Sequence, residues 1–163
     1  MNERDFVEQY GSVYEHSPWI ATAAHGLRLT PEHDDPVALA GMMAAIVDGA
    51  SKTQKLELLR AHPDLVGKLA QRGELTDESV EEQAGAGLDQ CTPEEFVAFQ
   101  DLNTRYTEKF GFPFIIAVRG YTRPEILEIF KARVDHDPEQ EFAAALAQVD
   151  RIAALRIGQI LAN

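Results

Sequence analysis

The residues that could do chemistry are concentrated in one polar stretch of the chain, residues 60–88, which reads RAHPDLVGKLAQRGELTDESVEEQAGAGL. Within it, His62 ends an apolar helical pattern and directly precedes Pro63. Because a helix rarely continues through the residue before a proline, we expect His62 to lie at the junction between two helices. A histidine in that setting is most often structural, and this alternative stays open for His62.

Further along the same stretch, three polar side chains share one face of a predicted helix. At 3.6 residues per turn, Ser79, Glu82 and Gln83 coincide on that face. A hydroxyl, a carboxylate and an amide side by side could line a polar pocket. They could equally point into water, because Glu82 stands among other acidic residues and an exposed helix face has the same composition.

The last predicted helix carries a charged residue inside its apolar stripe. Arg156 lies seven residues after Val149, within that stripe. A buried guanidinium is costly unless it is paired or holds an anion, because it is not deprotonated in proteins. Arg156 therefore holds an anion, pairs with a structural carboxylate, or extends to solvent from the edge of the stripe. The apolar members of the stripe are Phe142, Ala145, Val149, Ile152 and Ile160.

Length and composition predict one globular domain over residues 1–163. Fifteen basic against 27 acidic residues give a net charge of −12, so we expect neither nucleic acid nor an anionic membrane surface as a partner. The single cysteine, Cys91, cannot form an internal disulfide and fits a reducing compartment. Residues 1–10 do not resemble a signal peptide, and no apolar run could span a bilayer. We therefore expect a cytoplasmic protein.

Helix start signals recur along the chain and predict an all-α fold, a bundle of about eight helices. The first helix is expected over residues 3–14, and residues 25–34 are expected to form a polar loop. Residues 112–118, FPFIIAV, are strand-like, but nothing else in the chain could pair with them, so we expect a buried, extended connection. The predicted N-caps are Ser17, Asp35, Ser51, Thr76, Thr92, Thr122 and Asp137.

Motifs for several other chemistries are missing from the sequence. The histidines lack the spacing of helical metal ligands, and one cysteine cannot build a thiolate site. No glycine-rich phosphate loop follows a strand, and no nucleophile-elbow serine is present. We therefore expect no metal site, and the residue types alone predict only a helical domain whose pocket holds an anion.

Taken together, the motifs resemble those of one known family. They are Ala61-His62-Pro63-Asp64-Leu65, Gly67-Lys68, Leu75-Thr76, Ser79, Glu82-Gln83, Ala86-Gly87-Leu88-Asp89, Leu102-Asn103, Tyr106, Lys109 to Ile115, Ile126-Leu127, Arg133, Arg151-Ile152-Ala153 and Arg156. With this combination the sequence resembles the 2-oxo-4-hydroxy-4-carboxy-5-ureidoimidazoline (OHCU) decarboxylase family of urate degradation, over most of its length.

The resemblance implies an all-helical fold, usually a homodimer, and no cofactor. It implies that His62 and Glu82 are the catalytic acid–base pair and that Arg156 binds the substrate. It also implies a set of further pocket residues, in which residues 114–116 present backbone groups to the substrate. These implied pocket residues are Pro63, Ser79, Gln83, Phe114, Ile115 and Ile116.

The implied reaction is the decarboxylation of OHCU to (S)-allantoin. The carboxylate of this substrate sits next to a ring carbon that can be double-bonded to nitrogen, so the substrate itself accepts the electrons that carbon dioxide leaves behind. No pyridoxal or thiamine motif is therefore needed. Two alternatives stay open: a related helical enzyme acting on another ureido or imidazole acid, and a non-catalytic helical binding protein.

One position departs from the family pattern. Three residues after Arg133, where many relatives carry asparagine, this chain has His136. We expect the departure to change the loop before the last helix, with little consequence for the chemistry.

Overall fold

The computed structural model describes residues 1–65 and 92–163 of the chain. These residues are all-α, as predicted, and they contain no β-strand. None of their helices is long and apolar enough to cross a membrane. The α-helices are α1 (Glu3–Tyr10), α2 (Trp19–Gly26), α3 (Pro36–Asp48), α4 (Lys52–Ala61), α5 (Pro93–Phe110), α6 (Arg123–Val134) and α7 (Pro138–Ala162), and a 3-10 helix covers Pro31–Asp34.

The chain divides into two compact units. Unit 1 consists of Met1–Ala61 together with Ala147–Asn163, and unit 2 consists of His62–Leu146. Residues 63–65 at the start of unit 2 are not helical, although the sequence predicted a short helix over residues 63–71. The rest of that predicted helix, and the helix predicted after Thr76, lie outside the described residues. One domain over residues 1–163 stays a prediction.

Unit 1 has an apolar core that the helical periodicity predicts in part, because Val149 and Ile152 of the predicted stripe are buried whereas Ile160 is only partly buried. The first helix is shorter than predicted, because it ends before Gly11, a residue with low helix propensity. Tyr14 lies beyond that end and is buried all the same, and its hydroxyl donates a hydrogen bond to Asp150 Oδ1 at 2.7 Å. Core side chains of this unit that are almost fully buried are Ile20, Ala24, Leu39, Met43, Leu59, Val149 and Ile157.

Unit 2 is built around aromatic side chains. The Tyr106 ring of α5 makes edge contacts with the rings of Phe112, Phe114 and Phe130. Phe114 stacks on Phe130 of α6, with ring centroids 3.8 Å apart and planes 8° apart. Residues 112–118 are thus an extended, largely buried connection, as predicted, and the aromatic contacts hold it against two helices.

Most of the predicted helix caps are confirmed. Thr92 and Thr122 form capping boxes with the glutamates three residues on, and Gly111 ends α5 with the left-handed φ of 77° that favours glycine. The prediction for Ser17 is wrong, because its hydroxyl donates to the Glu15 carbonyl oxygen instead of capping α2. The side chains of Asp35, Ser51 and Asp137 also accept the expected backbone hydrogen bonds.

The Thr122 capping box leads to a prediction about pH. The hydrogen bond from the Thr122 backbone N–H lowers the pKa of the Glu125 carboxyl. The carboxylate therefore stabilises the folded state at neutral pH, and this contribution is lost as the pH falls through the lowered pKa. Glu125→Gln is expected to be less stable than the wild type at neutral pH and equally stable in acid, as measured by urea unfolding. Glu128→Gln, in the same helix but outside the box, is the control, and a difference that persists unchanged in acid would contradict the prediction.

Candidate active site

His62 lies where the sequence predicted it, directly after the last residue of α4. Its side chain is buried, with 7% of its surface exposed, and the residue is the first of unit 2. The next residues are non-helical, and the Asp64 carboxylate accepts a hydrogen bond from Asn103 Nδ2 of α5 at 2.8 Å. This bond ties the turn that carries His62 and Pro63 to a long helix. A buried imidazole can donate or accept a proton, which makes His62 a candidate for proton transfer.

Residues 114–116 form the second predicted part of the site in unit 2. Phe114, Ile115 and Ile116 are all buried. The Ile115 carbonyl oxygen accepts a hydrogen bond of 2.6 Å from Arg133 Nη1 of α6. The guanidinium carbon of Arg133 also lies 4.5 Å from the centroid of the Phe114 ring. The backbone of this segment is therefore held in place by Arg133, a charged side chain for which the sequence predicted no role.

Arg156 is the predicted anchor of the substrate, and it lies in unit 1. It is 2% exposed, and its Nη2 is 3.4 Å from Oε1 of Glu15, which is itself fully buried. Its Nη1 donates to the carbonyl oxygens of Ser12 and Val13 at 3.4 and 3.3 Å. The pairing with a buried carboxylate is one of the alternatives that periodicity left open. A guanidinium has five N–H donors, so this pairing is compatible with binding an anion as well.

A second buried acid, Glu141 of α7, was not predicted. Its side chain is fully buried in unit 2 and accepts hydrogen bonds from Arg133 Nε at 2.8 Å and from the Tyr106 hydroxyl at 2.6 Å. His136 Nδ1 lies 3.0 Å from the other carboxylate oxygen. Burial raises the pKa of Tyr106, and the hydrogen bond to Glu141 adds to this rise. The phenol is therefore a permanent hydrogen-bond donor to Glu141 at any ordinary pH.

The predicted site residues are thus distributed over different parts of the chain. Unit 2 contains His62, Pro63 and residues 114–116, and unit 1 contains Arg156. The other three predicted residues, Ser79, Glu82 and Gln83, lie outside the described residues. A single pocket formed by all of them stays a prediction.

The described residues form an all-α protein, and each of its two units contains buried polar or charged side chains. The family model for OHCU decarboxylase matches residues 1–158. The 2-oxo-4-hydroxy-4-carboxy-5-ureidoimidazoline decarboxylase of Halalkalicoccus jeotgali is 44% identical, over 98% of this chain and 89% of that protein. The protein of the same name from Haloferax volcanii is 41% identical, over 98% and 90%.

Solved structures give a consistent picture. The crystal structure of (S)-allantoin synthase superposes with a TM-score of 0.76 at 35% identity, over 98% of this chain. The chain spans half the length of that structure's chain. The chain therefore belongs to the OHCU decarboxylase family.

Proposed function

We propose that this chain removes carbon dioxide from OHCU and releases (S)-allantoin, with His62 and Glu82 as the acid–base pair and Arg156 as the substrate anchor. The decarboxylase class follows from membership of the family, whose model matches residues 1–158. The observation that carries the residue assignment is His62, a buried imidazole held at a helix end inside a chain that the family model covers almost completely.

The proposed reaction starts from electrostatic binding. OHCU is an anion, and Arg156 fixes it through charge-assisted hydrogen bonds, which are stronger and more directional than neutral ones. The bond between the substrate carboxylate and the hydroxyl-bearing ring carbon breaks. Its electron pair forms a double bond to the ureido-bearing carbon, and the pair of the C=N bond moves to nitrogen, which takes up a proton. Carbon dioxide leaves, so the substrate supplies its own electron sink.

Proton delivery completes the reaction. The neighbouring ureido-bearing carbon must then take up one proton from one face to give the S product, while the hydroxyl on the carbon that lost carbon dioxide gives up its proton and becomes a carbonyl. His62 and Glu82 supply an imidazole and a carboxylate for this transfer, and a positioned proton donor contributes roughly 10²–10⁴-fold to the rate. The burial of His62 supports this role, because a shielded imidazole exchanges its proton with the ligand more readily than with bulk water.

Circular dichroism of an oxidising urate mixture tests the proposed activity. The mixture contains urate oxidase and hydroxyisourate hydrolase, which generate OHCU, and it is followed with and without this protein. Rapid loss of the OHCU signal with appearance of the (S)-allantoin signal is the expected result. Decay at the spontaneous rate in the presence of folded protein would contradict the proposal and indicate that OHCU is not the substrate.

We also infer a homodimer and a cytoplasmic location. The homodimer is supported by the resemblance to the family, and the location by the single cysteine in the sequence. Light scattering on a size-exclusion column is expected to give twice the chain mass of 18.1 kDa. A mass of one chain at micromolar concentration would contradict the homodimer.

A further inference from the structure

We propose that Arg133 and Glu141 are positioning residues whose buried ion pair sets the place of the backbone at residues 114–116. The inference rests on the proposed function, which assigns that backbone to substrate binding. It adds two residues that do not touch the substrate and act on it through the Ile115 carbonyl group. All the groups involved lie in unit 2.

The first link is the hydrogen bond between Arg133 and Ile115. At 2.6 Å from Nη1 to the carbonyl oxygen, it is short for a bond to a neutral acceptor. Such a bond also fixes the orientation of the peptide plane, because the carbonyl oxygen must point at the N–H groups of a planar guanidinium. Since Ile115 and Ile116 share that peptide plane, the bond also fixes the direction of the Ile116 N–H.

The second link is the pair of contacts made by the Phe114 ring. This ring stacks on the ring of Phe130, with centroids 3.8 Å apart, and the guanidinium carbon of Arg133 lies 4.5 Å from its centroid. One arginine therefore holds both the side chain of Phe114 and the carbonyl of the next residue. Displacing Arg133 would release two neighbouring residues of the segment together.

The third link is Glu141, which fixes Arg133 itself. Nε of Arg133 donates to Glu141 Oε1 at 2.8 Å, and Nη2 lies 2.5 Å from the same oxygen. The Tyr106 hydroxyl donates to this oxygen as well, and His136 Nδ1 lies 3.0 Å from the second one. The carboxylate thus joins α5, α6, α7 and the loop before α7 at one point.

Stability alone does not account for this cluster. Taking two charges out of water costs about as much as their attraction returns, and an apolar replacement of similar volume is often as stable or more stable. A hydrogen-bonded ion pair differs from an apolar replacement because its hydrogen bonds are directional and allow only one orientation of the guanidinium. The functional gain is therefore a fixed orientation of the Ile115 peptide, which is what a substrate-binding backbone needs.

The test uses two conservative variants of the full-length protein. Arg133→Lys keeps the charge but loses the planar fork that reaches Glu141 and Ile115 at once. Tyr106→Phe keeps the ring and removes only its hydrogen bond to Glu141. The readouts are KM and kcat for OHCU, and the ¹H–¹⁵N amide shift of Ile116, which reports on the peptide that Arg133 holds.

We expect Arg133→Lys to raise KM about 10- to 100-fold, the effect of a small misplacement of binding groups. The change in kcat should be smaller, because a backbone contact made equally to substrate and transition state affects KM alone. Tyr106→Phe should raise KM a few-fold. In both variants the Ile116 amide shift should move, and by more in Arg133→Lys.

Ile126→Val is the matched control, since Ile126 is fully buried on the same helix as Arg133 and has no polar side chain. It lowers stability through lost packing, and it should leave both KM and the Ile116 shift unchanged. An unmoved Ile116 shift in Arg133→Lys, or a moved shift with wild-type KM in an active enzyme, would overturn the inference. A wild-type protein that does not consume OHCU would instead refute the proposed function, and in that case the Ile116 shift alone decides whether the pair positions the segment.

Discussion

His62→Asn is expected to lower kcat for OHCU decarboxylation about 10²–10⁴-fold, the usual contribution of a positioned acid or base. Asparagine is close to histidine in size and retains hydrogen-bonding groups, but it cannot carry a proton between pH 5 and 8. The His62 side chain is buried at a helix end, so a replacement must have a similar size to preserve the packing. Asparagine meets this condition and removes only the proton-transfer group. The substitution therefore separates the two roles.

The measurement is the initial rate of OHCU loss by circular dichroism, with thermal unfolding of the same samples. His33→Asn is the control, because His33 is a partly exposed residue of the short 3-10 helix in unit 1. It should retain wild-type kcat. If His62→Asn is folded and keeps more than about a tenth of the wild-type kcat, a loss below the contribution of a proton donor, then His62 is a structural histidine, the alternative left open by the sequence.

Arg156 and Glu15 together give the second large effect. Arg156→Met leaves the fully buried Glu15 carboxylate without its guanidinium, and such a loss destabilises a protein by about 3–5 kcal/mol. In the double variant Arg156→Met with Glu15→Leu, both charges are replaced by apolar side chains. This double variant is expected to recover most of the lost stability, because buried ion pairs are often replaceable in this way.

Activity should not recover with stability. If Arg156 anchors the substrate, the double variant is expected to lose at least about 10- to 100-fold in kcat/KM, the contribution of a hydrogen bond to a charged group. Urea unfolding and OHCU decay measure the two quantities on one sample. The paired replacement of Arg105 and Asp101, which are exposed, is the control and should change neither quantity. Recovery of both stability and activity in the Arg156 double variant would show that Arg156 has a structural role and does not bind the substrate.

The helices were predictable because their signals are local. Asp35 with Pro36, Thr92 with Glu95, and Thr122 with Glu125 each lie within four residues of one another, and the capping interactions form as the spacing indicates. The error at Ser17 has a physical reason, since its hydroxyl satisfies a nearby carbonyl oxygen instead. A hydroxyl has several partners within reach in a turn, and the sequence alone does not rank them.

The buried acid of α7 follows the helical periodicity, although the predicted stripe did not include it. The predicted stripe of α7 began at Phe142, which is only partly buried, whereas Glu141 is fully buried. Glu141 stands four residues before Ala145 and continues the same face towards the N-terminus of the helix. Like Arg156, Glu141 is therefore a charged residue on the apolar face of this helix, and the same periodicity predicts its burial.

Other contacts have no local signal. Glu15 lies outside a helix, so no period predicts its burial. The bond from Arg133 to the Ile115 carbonyl joins residues 18 positions apart across two elements. Family motifs indicated that Arg133 matters but not what it holds, because a motif records residue types and not their partners. Such contacts appear only once the packing of the helices is known.

The discontinuous make-up of unit 1 has a consequence for the order of folding. The hydrogen bond from Arg156 to the Ser12 carbonyl closes a loop of 144 residues, whereas Arg133 and Glu141 are eight residues apart in one continuous unit. Loop-closure entropy rises only slowly with length, so the long contact costs little stability, but distant contacts slow the folding of a chain. On the ribosome, residues 1–61 must wait for residues 147–163 before Glu15 gains its partner. The Arg133 pair can form as soon as the start of α7 is made, and the Arg156 pair closes last.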